Sequence, residues 1–191
     1  MRYLSSIIQL FPQNMRETLM EEMQSLNGLP EEIRLRIGAP LCLRYYGQER
    51  FCGECLTKDQ LLWIVGTAAG GSYHTAVRYL RMGYLPLRDG SRMGLCGNGT
   101  KGEIASFGDV TSACIRIARA AVGCGDEVYK KIYSDGFCNT IIIAPPGAGK
   151  TTLLRELIRK LSYGGLYVGV ADERGEIAGM FEDKPSFDLG P

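Results

Sequence analysis

The sequence predicts an α/β protein in two parts: a mixed α+β N-terminal domain, then the opening portion of a P-loop nucleotide-binding domain. Two observations carry that reading. Up to about residue 125, apolar residues recur first at helical spacing and then at every second position. From Asn139 onward, a β-branched apolar run leads into a glycine-rich loop, a Lys-Thr pair and an amphipathic stretch.

The N-terminal elements follow in order. Met15, Leu19, Met23 and Leu26 recur at helical spacing among Glu and Arg residues, which predicts an amphipathic helix over 13–26 that ends before Leu29-Pro30. Ile33, Leu35 and Ile37 then alternate with Glu32, Arg34 and Arg36, the period of a half-buried strand. Gly38-Ala39-Pro40 interrupts that run before Leu41, Leu43 and Tyr45 alternate again, so a hairpin is expected. Thr57 with Gln60 forms the pattern of a capping box ahead of Leu61, Leu62, Ile64 and Val65, with Trp63 expected in the core. A further helix is predicted from Ser72, with Gly83 as its C-terminal glycine. Tyr84 to Cys96 reads as two strands joined at Asp89-Gly90, and Ala113 to Arg119 as another strand. The expected boundaries are 1–125 for this domain, 126–136 for a linker with a short helix, and 137–191 for the P-loop domain.

The second part carries the chemistry. Asn139 to Ala144 has the pattern of a buried parallel strand. It is followed by Pro145, Pro146, Gly147, Ala148, Gly149, Lys150, Thr151 and Thr152. Glycines let successive backbone N–H groups turn inward to surround phosphate oxygens, and a helix beginning there adds its positive end. Lys150 is expected to reach the β- and γ-phosphates of ATP, and Thr151 to supply a hydroxyl to Mg2+. Ala144 stands where the motif asks for its first glycine, at the end of the strand rather than in the cradle. In the helix that follows, Leu153, Leu154, Leu157, Ile158 and Leu161 form an apolar stripe, while Arg155, Glu156, Arg159 and Lys160 are expected to face water. Leu166 to Val170 reads as the next buried strand, delivering Asp172, Glu173 and Glu176 at the edge where ligands bind in open α/β sheets. Carboxylates there suit magnesium binding or the orientation of an attacking water: Asp172 for the metal, Glu173 and Glu176 for catalysis.

With Leu29 to Gly38, Gly83-Tyr84, Arg92 to Gly97, Ile115 to Arg119, the P-loop and Val170 to Ile177 in this order, the chain resembles the stage III sporulation protein AA family of endospore-forming bacteria. That family is similar to the ATPases of type II and type IV secretion. The resemblance implies that the P-loop domain is RecA-like and that the protein hydrolyses ATP. It implies a homo-oligomeric ring, a hexamer when complete, and membrane channel proteins between mother cell and forespore as partners. It also implies that Arg116 and Arg119 stabilise γ-phosphate charge, and that the acidic strand end corresponds to an Asp box.

After Lys150 the sequence offers one helix, one strand and a polar tail with two prolines, Met180 to Pro191. No later apolar run ends in Asp-Glu, so a Walker B strand is expected to be missing and hydrolysis by this chain to be very weak. The competing expectation is a non-catalytic interaction or oligomerisation module that docks on a membrane channel.

Composition narrows the remaining classes. The 191 residues are 45% hydrophobic and 23% charged with a net charge of +1, so no nucleic-acid partner is expected. The longest uncharged run, Leu61 to Val77, holds three glycines and falls short of the roughly 18 to 20 apolar residues of a membrane span. Seven cysteines without framework spacing fit a reduced, cytoplasmic protein, attached to a membrane peripherally if at all, through partners. Cys52 and Cys55 form a CxxC without a second pair, and the one histidine, His74, cannot build a metal site with scattered cysteines.

Overall fold

A computed structural model describes residues 6–26, 28–70, 79–81, 83–98, 107–118, 121–134, 138–145, 147–173, 175–181 and 184–191. Of the helix predicted from Ser72, Tyr79, Leu80 and Arg81 are described and helical, and Gly83 follows at φ 72°, whereas Ser72 and His74 lie outside the described residues. The chain divides into two compact units, Met1–Ala118 and Arg119–Pro191.

The first unit contains α1 (Gln13–Ser25), β1 (Glu32–Arg36), β2 (Leu41–Tyr45), β3 (Gln48–Cys52), α2 (Lys58–Ala68), β4 (Tyr84–Pro86), β5 (Arg92–Gly97) and β6 (Val110–Arg116). Its six strands form one antiparallel sheet in the order β3-β2-β1-β6-β5-β4. The register places Leu43 beside Ile33, Ile33 beside Ile115, and Ile115 beside Met93. All four are fully buried, and they join Leu19 of α1 and Leu61 and Ile64 of α2 in one apolar core. Because side chains alternate across a strand, Arg34, Cys42 and Cys114 occupy the opposite face in matching register.

The local devices are as the sequence predicts. The Thr57 hydroxyl accepts from the Gln60 N–H at 3.2 Å, while the Gln60 side-chain oxygen accepts from the Thr57 N–H at 2.9 Å. Asp89 and Gly90 turn the chain between β4 and β5, with the Asp89 carboxylate accepting from the Ser91 N–H at 2.9 Å. Three readings need correction. Strand β3 escaped the sequence pattern; it is joined to β2 by Tyr46 and Gly47, both at positive φ (47° and 81°), a two-residue hairpin turn. Strand β6 starts at Val110, earlier than the alternation around Ile115 and Ile117 suggests. Trp63 is 60% exposed, because Leu61, Ile64, Val65 and Ala68 form the buried face of α2 and leave Trp63 beside it.

The second unit contains α3 (Asp126–Ser134), within the span expected to be a linker, and α4 (Lys150–Tyr163). The helices meet through Lys160 and Asp126 at 2.7 Å and through Gly125, which sits against Glu156 and Leu157. The two runs expected as buried strands are not strands. Residues 138–145 and 166–172 have no ladder partner among the described residues, and Ile141, Ile143 and Tyr167 are largely exposed. A β-strand exists through the neighbour that satisfies its N–H and C=O groups, and among the described residues none lies alongside.

A candidate nucleotide site at the start of α4

The loop before α4 turns on two left-handed glycines, and its Ala148 N–H donates to the Pro145 carbonyl at 3.3 Å. Gly147 (φ 80°) and Gly149 (φ 87°) both occupy the left-handed region, and the space where a side chain would stand on either is open for 4 Å. Gly149 is the N-cap residue, no side chain caps the helix, and no acidic residue stands in its first turn. The first N–H groups of a helix have no acceptor within it, so this end presents donors and partial positive charge. Lys150 Nζ donates to the Ala144 carbonyl at 2.6 Å and to the Pro145 carbonyl at 2.8 Å. The ammonium is thereby held across the loop instead of extending into solvent.

Beside this loop lies a cleft of about 340 Å³, within the roughly 300 to 1,000 Å³ typical of small-molecule sites. Lys150, Thr151, Asp172, Glu173 and Glu176 share its wall with Ile142, Leu154 and Ile177. The structure therefore brings together residues from two segments that are some twenty positions apart. Gly147, Ala148 and Gly149 are exposed and Thr152 is half-buried in the first turn of α4. Pro146 and Arg119 lie outside the described residues. Arg116 belongs to the first unit, where its exposed side chain stands 3.7 Å from Glu32.

The acidic turn has an internal order that the sequence did not reveal. One Asp172 carboxylate oxygen accepts from the Glu176 N–H at 2.9 Å, and the other accepts from Ile177 (2.9 Å) and Ala178 (3.0 Å). A carboxylate has about four lone-pair sites, so these bonds leave one for a cation. Asp172 thus folds its own turn through three backbone N–H groups. Among the described residues, no group of three or more His, Cys, Asp or Glu is placed to hold a metal ion. A magnesium here would rely on the Thr151 hydroxyl, phosphate oxygens and water, in the manner usual for this ion.

The amphipathic reading of α4 also changes. Leu157 and Ile158 are buried, but so are Arg155 and Glu156, whereas Leu154 is partly exposed. Glu156 accepts from the Gly123 N–H at 2.8 Å and takes both Arg159 donors at 2.8 Å. The Arg159 guanidinium, with the Gly123 N–H assisting, holds the Glu156 carboxyl below its ordinary range. Arg155 donates to the Ile177 carbonyl at 2.8 Å and to the Glu176 carbonyl at 3.0 Å. Sequence reasoning missed Arg155, because an arginine between leucines of an amphipathic helix has the pattern of a solvated residue.

Other features do not compete for the site. A larger cleft, about 460 Å³, lies on the sheet of the first unit, and its Arg34 is bonded to Glu32 and Glu49. Burial pushes the Cys52 thiol up to about 11, so at neutral pH it is a protonated thiol rather than a reactive thiolate. Among the described residues, no helix is long and apolar enough to cross a membrane.

The two left-handed glycines and the helix starting at Lys150 follow the local pattern of a P-loop. The whole chain, residues 1–191, matches the family described as Sporulation stage III, protein AA, and belongs to it. It is 34% identical over 196 aligned residues to "Stage III sporulation protein AA" of Bacillus subtilis (strain 168), covering 98% of this chain and 63% of that relative. Among solved structures it is similar to the Legionella pneumophila ATPase DotB, at 19% identity and TM-score 0.45, over 75% of this chain and 40% of that one. It is also similar to the pilus retraction motor PilT with bound ADP, at 16% identity and TM-score 0.43, over 75% of this chain and 42% of the other. Similarity at that level says nothing about the site.

Proposed function

We propose that this chain binds ATP at the N-terminal end of α4 and, as part of the sporulation AA protein, hydrolyses it with magnesium. The observation that carries this reading is the sharing of one cleft by Lys150, Thr151 and the acidic turn. Backbone N–H groups of residues 147–152 would cradle the phosphates, with Pro145 and Pro146 shaping the entry to the loop. Lys150 would exchange its two carbonyl acceptors for phosphate oxygens, which accept more strongly because they are charged. Magnesium would supply charge neutralisation on the phosphates, held by Thr151 with the remaining lone pair of Asp172. Glu173 and Glu176 would orient the attacking water, and Arg116 and Arg119 would offset γ-phosphate charge. In the same reading, the domains divide near residue 125 and the protein assembles as a homo-oligomeric ring. That ring would serve a membrane channel of the sporulating cell from the cytoplasmic side.

Titration of the chain with a fluorescent ATP analogue and Mg2+ tests the reading, with Lys150→Ala as comparison. The substitution is expected to weaken binding by about tenfold or more, the scale of a lost charge-assisted hydrogen bond. Equal affinity in the two proteins would defeat the assignment.

A further inference from the structure

The acidic turn is tied from two directions, and one of its ties comes from the P-loop helix itself. From inside the turn, the Asp172 carboxylate takes the N–H groups of Glu176, Ile177 and Ala178. From α4, Arg155 takes the carbonyls of Glu176 and Ile177. At these two adjacent residues, one anchor engages the donors and the other the acceptors. Arg155 is 9% exposed, and its guanidinium lies 3.5 Å from the ring centroid of the buried Phe187. It also stands four residues after Thr151, so the two share one face of the helix. That face thus presents a hydroxyl to the cleft and, one turn later, a planar donor fork to the segment carrying the carboxylates.

We propose that Arg155 is a positioning residue that ties Glu176 and Ile177, and through them the Asp172 carboxylate bonded to the same residues, to α4, and so sets Asp172, Glu173 and Glu176 in register with Thr151. The inference rests on the nucleotide reading given above and adds a residue which that reading does not use. Through this clamp, a shift of the first turn of α4 is carried to the carboxylates over one helical turn and two hydrogen bonds. A lysine at 155 retains the charge but lacks the fork, and one ammonium cannot hold both carbonyls in the same plane.

The test compares the full chain with Arg155→Met, Arg155→Lys, Glu176→Gln and the double variant Arg155→Met/Glu176→Gln. Affinity for a fluorescent ATP analogue is measured with and without Mg2+, and amide exchange is followed at Glu176, Ile177 and Ala178. Arg155→Met is expected to keep the magnesium-free affinity within about twofold, because the loop and Lys150 are untouched. It is expected to lose the gain that Mg2+ confers by about tenfold and to raise exchange at the three amides by a similar factor, as for half-buried acceptors that lose a charged donor. The double variant should be no worse than the worse single one, since both changes act on the same turn.

Equal loss with and without Mg2+, an additive double variant, or unchanged exchange would overturn the proposal. Should Arg155→Met fail to fold, Arg155→Lys is read by the same measurements and is expected to show the same magnesium-specific loss. A wild-type chain that fails to bind the analogue defeats the nucleotide reading, and the role assigned to Arg155 falls with it. A wild type that binds, beside Arg155 variants that match it, defeats the positioning role alone.

Discussion

The first unit of this protein is held by carbon and the second by polar ties. In Met1–Ala118, helices and a six-stranded sheet enclose a continuous apolar core in which Phe11, Leu19, Ile33, Leu43, Leu61 and Ile115 are all but inaccessible. Among the described residues of Arg119–Pro191, the buried apolar side chains are Leu157, Ile158 and Phe187, and Arg155 and Glu156 are buried with them. Segments there are fixed by side chains that engage backbone groups: Glu156 to Gly123, Arg155 to Glu176 and Ile177, Asp172 to residues 176–178. Apolar cores resist perturbation collectively, whereas a polar tie acts at one place and can be exchanged for a ligand. A site that must change partners is better served by the second arrangement.

This contrast can be broken most sharply in the core. Leu43→Ala is expected to destabilise the first unit by about 2–5 kcal/mol, read as a fall in its unfolding midpoint in urea. Amide protection in α4 should hardly respond, and a parallel loss there would mean that the units do not stand apart energetically. The matching change in the second unit is smaller and more local. Asp172→Ala removes the acceptor of three N–H groups and should cost about 1–3 kcal/mol, seen as lost protection confined to residues 175–178. Loss spreading into β1 or β6 would contradict the local character of the tie.

A cap lies between these extremes in kind but below them in size. Thr57→Ala abolishes half of the capping box and is expected to lower the stability of the first unit by about 1 kcal/mol, measured by the same urea titration. Acid should give the smallest effect. The folded Glu156 carboxyl titrates below its ordinary value, so its contribution is fully present above the ordinary carboxylate range. That contribution is lost as pH falls through the depressed value. The Gly123 amide should therefore lose protection only below the ordinary carboxylate range, and Glu156→Gln should remove that dependence. A Gly123 amide whose protection ignores acid in the unsubstituted chain would show that the carboxylate does not hold it.

Legibility in the sequence followed the range of the interaction. Helix α1, the alternation of β1 and β2, the Thr57–Gln60 box and the Asp89-Gly90 turn depend on residues a few positions apart, and each was readable. The glycine loop was readable for the same reason, since positive φ at Gly147 and Gly149 is a local demand. Strand β3 was not, because Gln48, Glu49 and Arg50 are polar, all three and Phe51 are exposed at a sheet edge, and the strand forms through β2 alone. The exposure of Trp63 depends on which face of α2 meets the sheet, which periodicity in so short a helix leaves open. Residues 139–144 and 166–170 have strand composition but pair with no strand among the described residues.

By itself the sequence determined the local grammar of this protein: where helices begin, which residues alternate, and where glycine must bend the chain through positive φ. Those choices are governed by backbone sterics and by bonds that close within a few residues. Tertiary structure alone decided that Asp172 folds its own turn, that Arg155 is buried upon Phe187, and that Thr151 and Glu176 border one cleft. Such outcomes depend on which groups distant along the chain are near enough to replace water as hydrogen-bond partners, and no local pattern encodes that proximity.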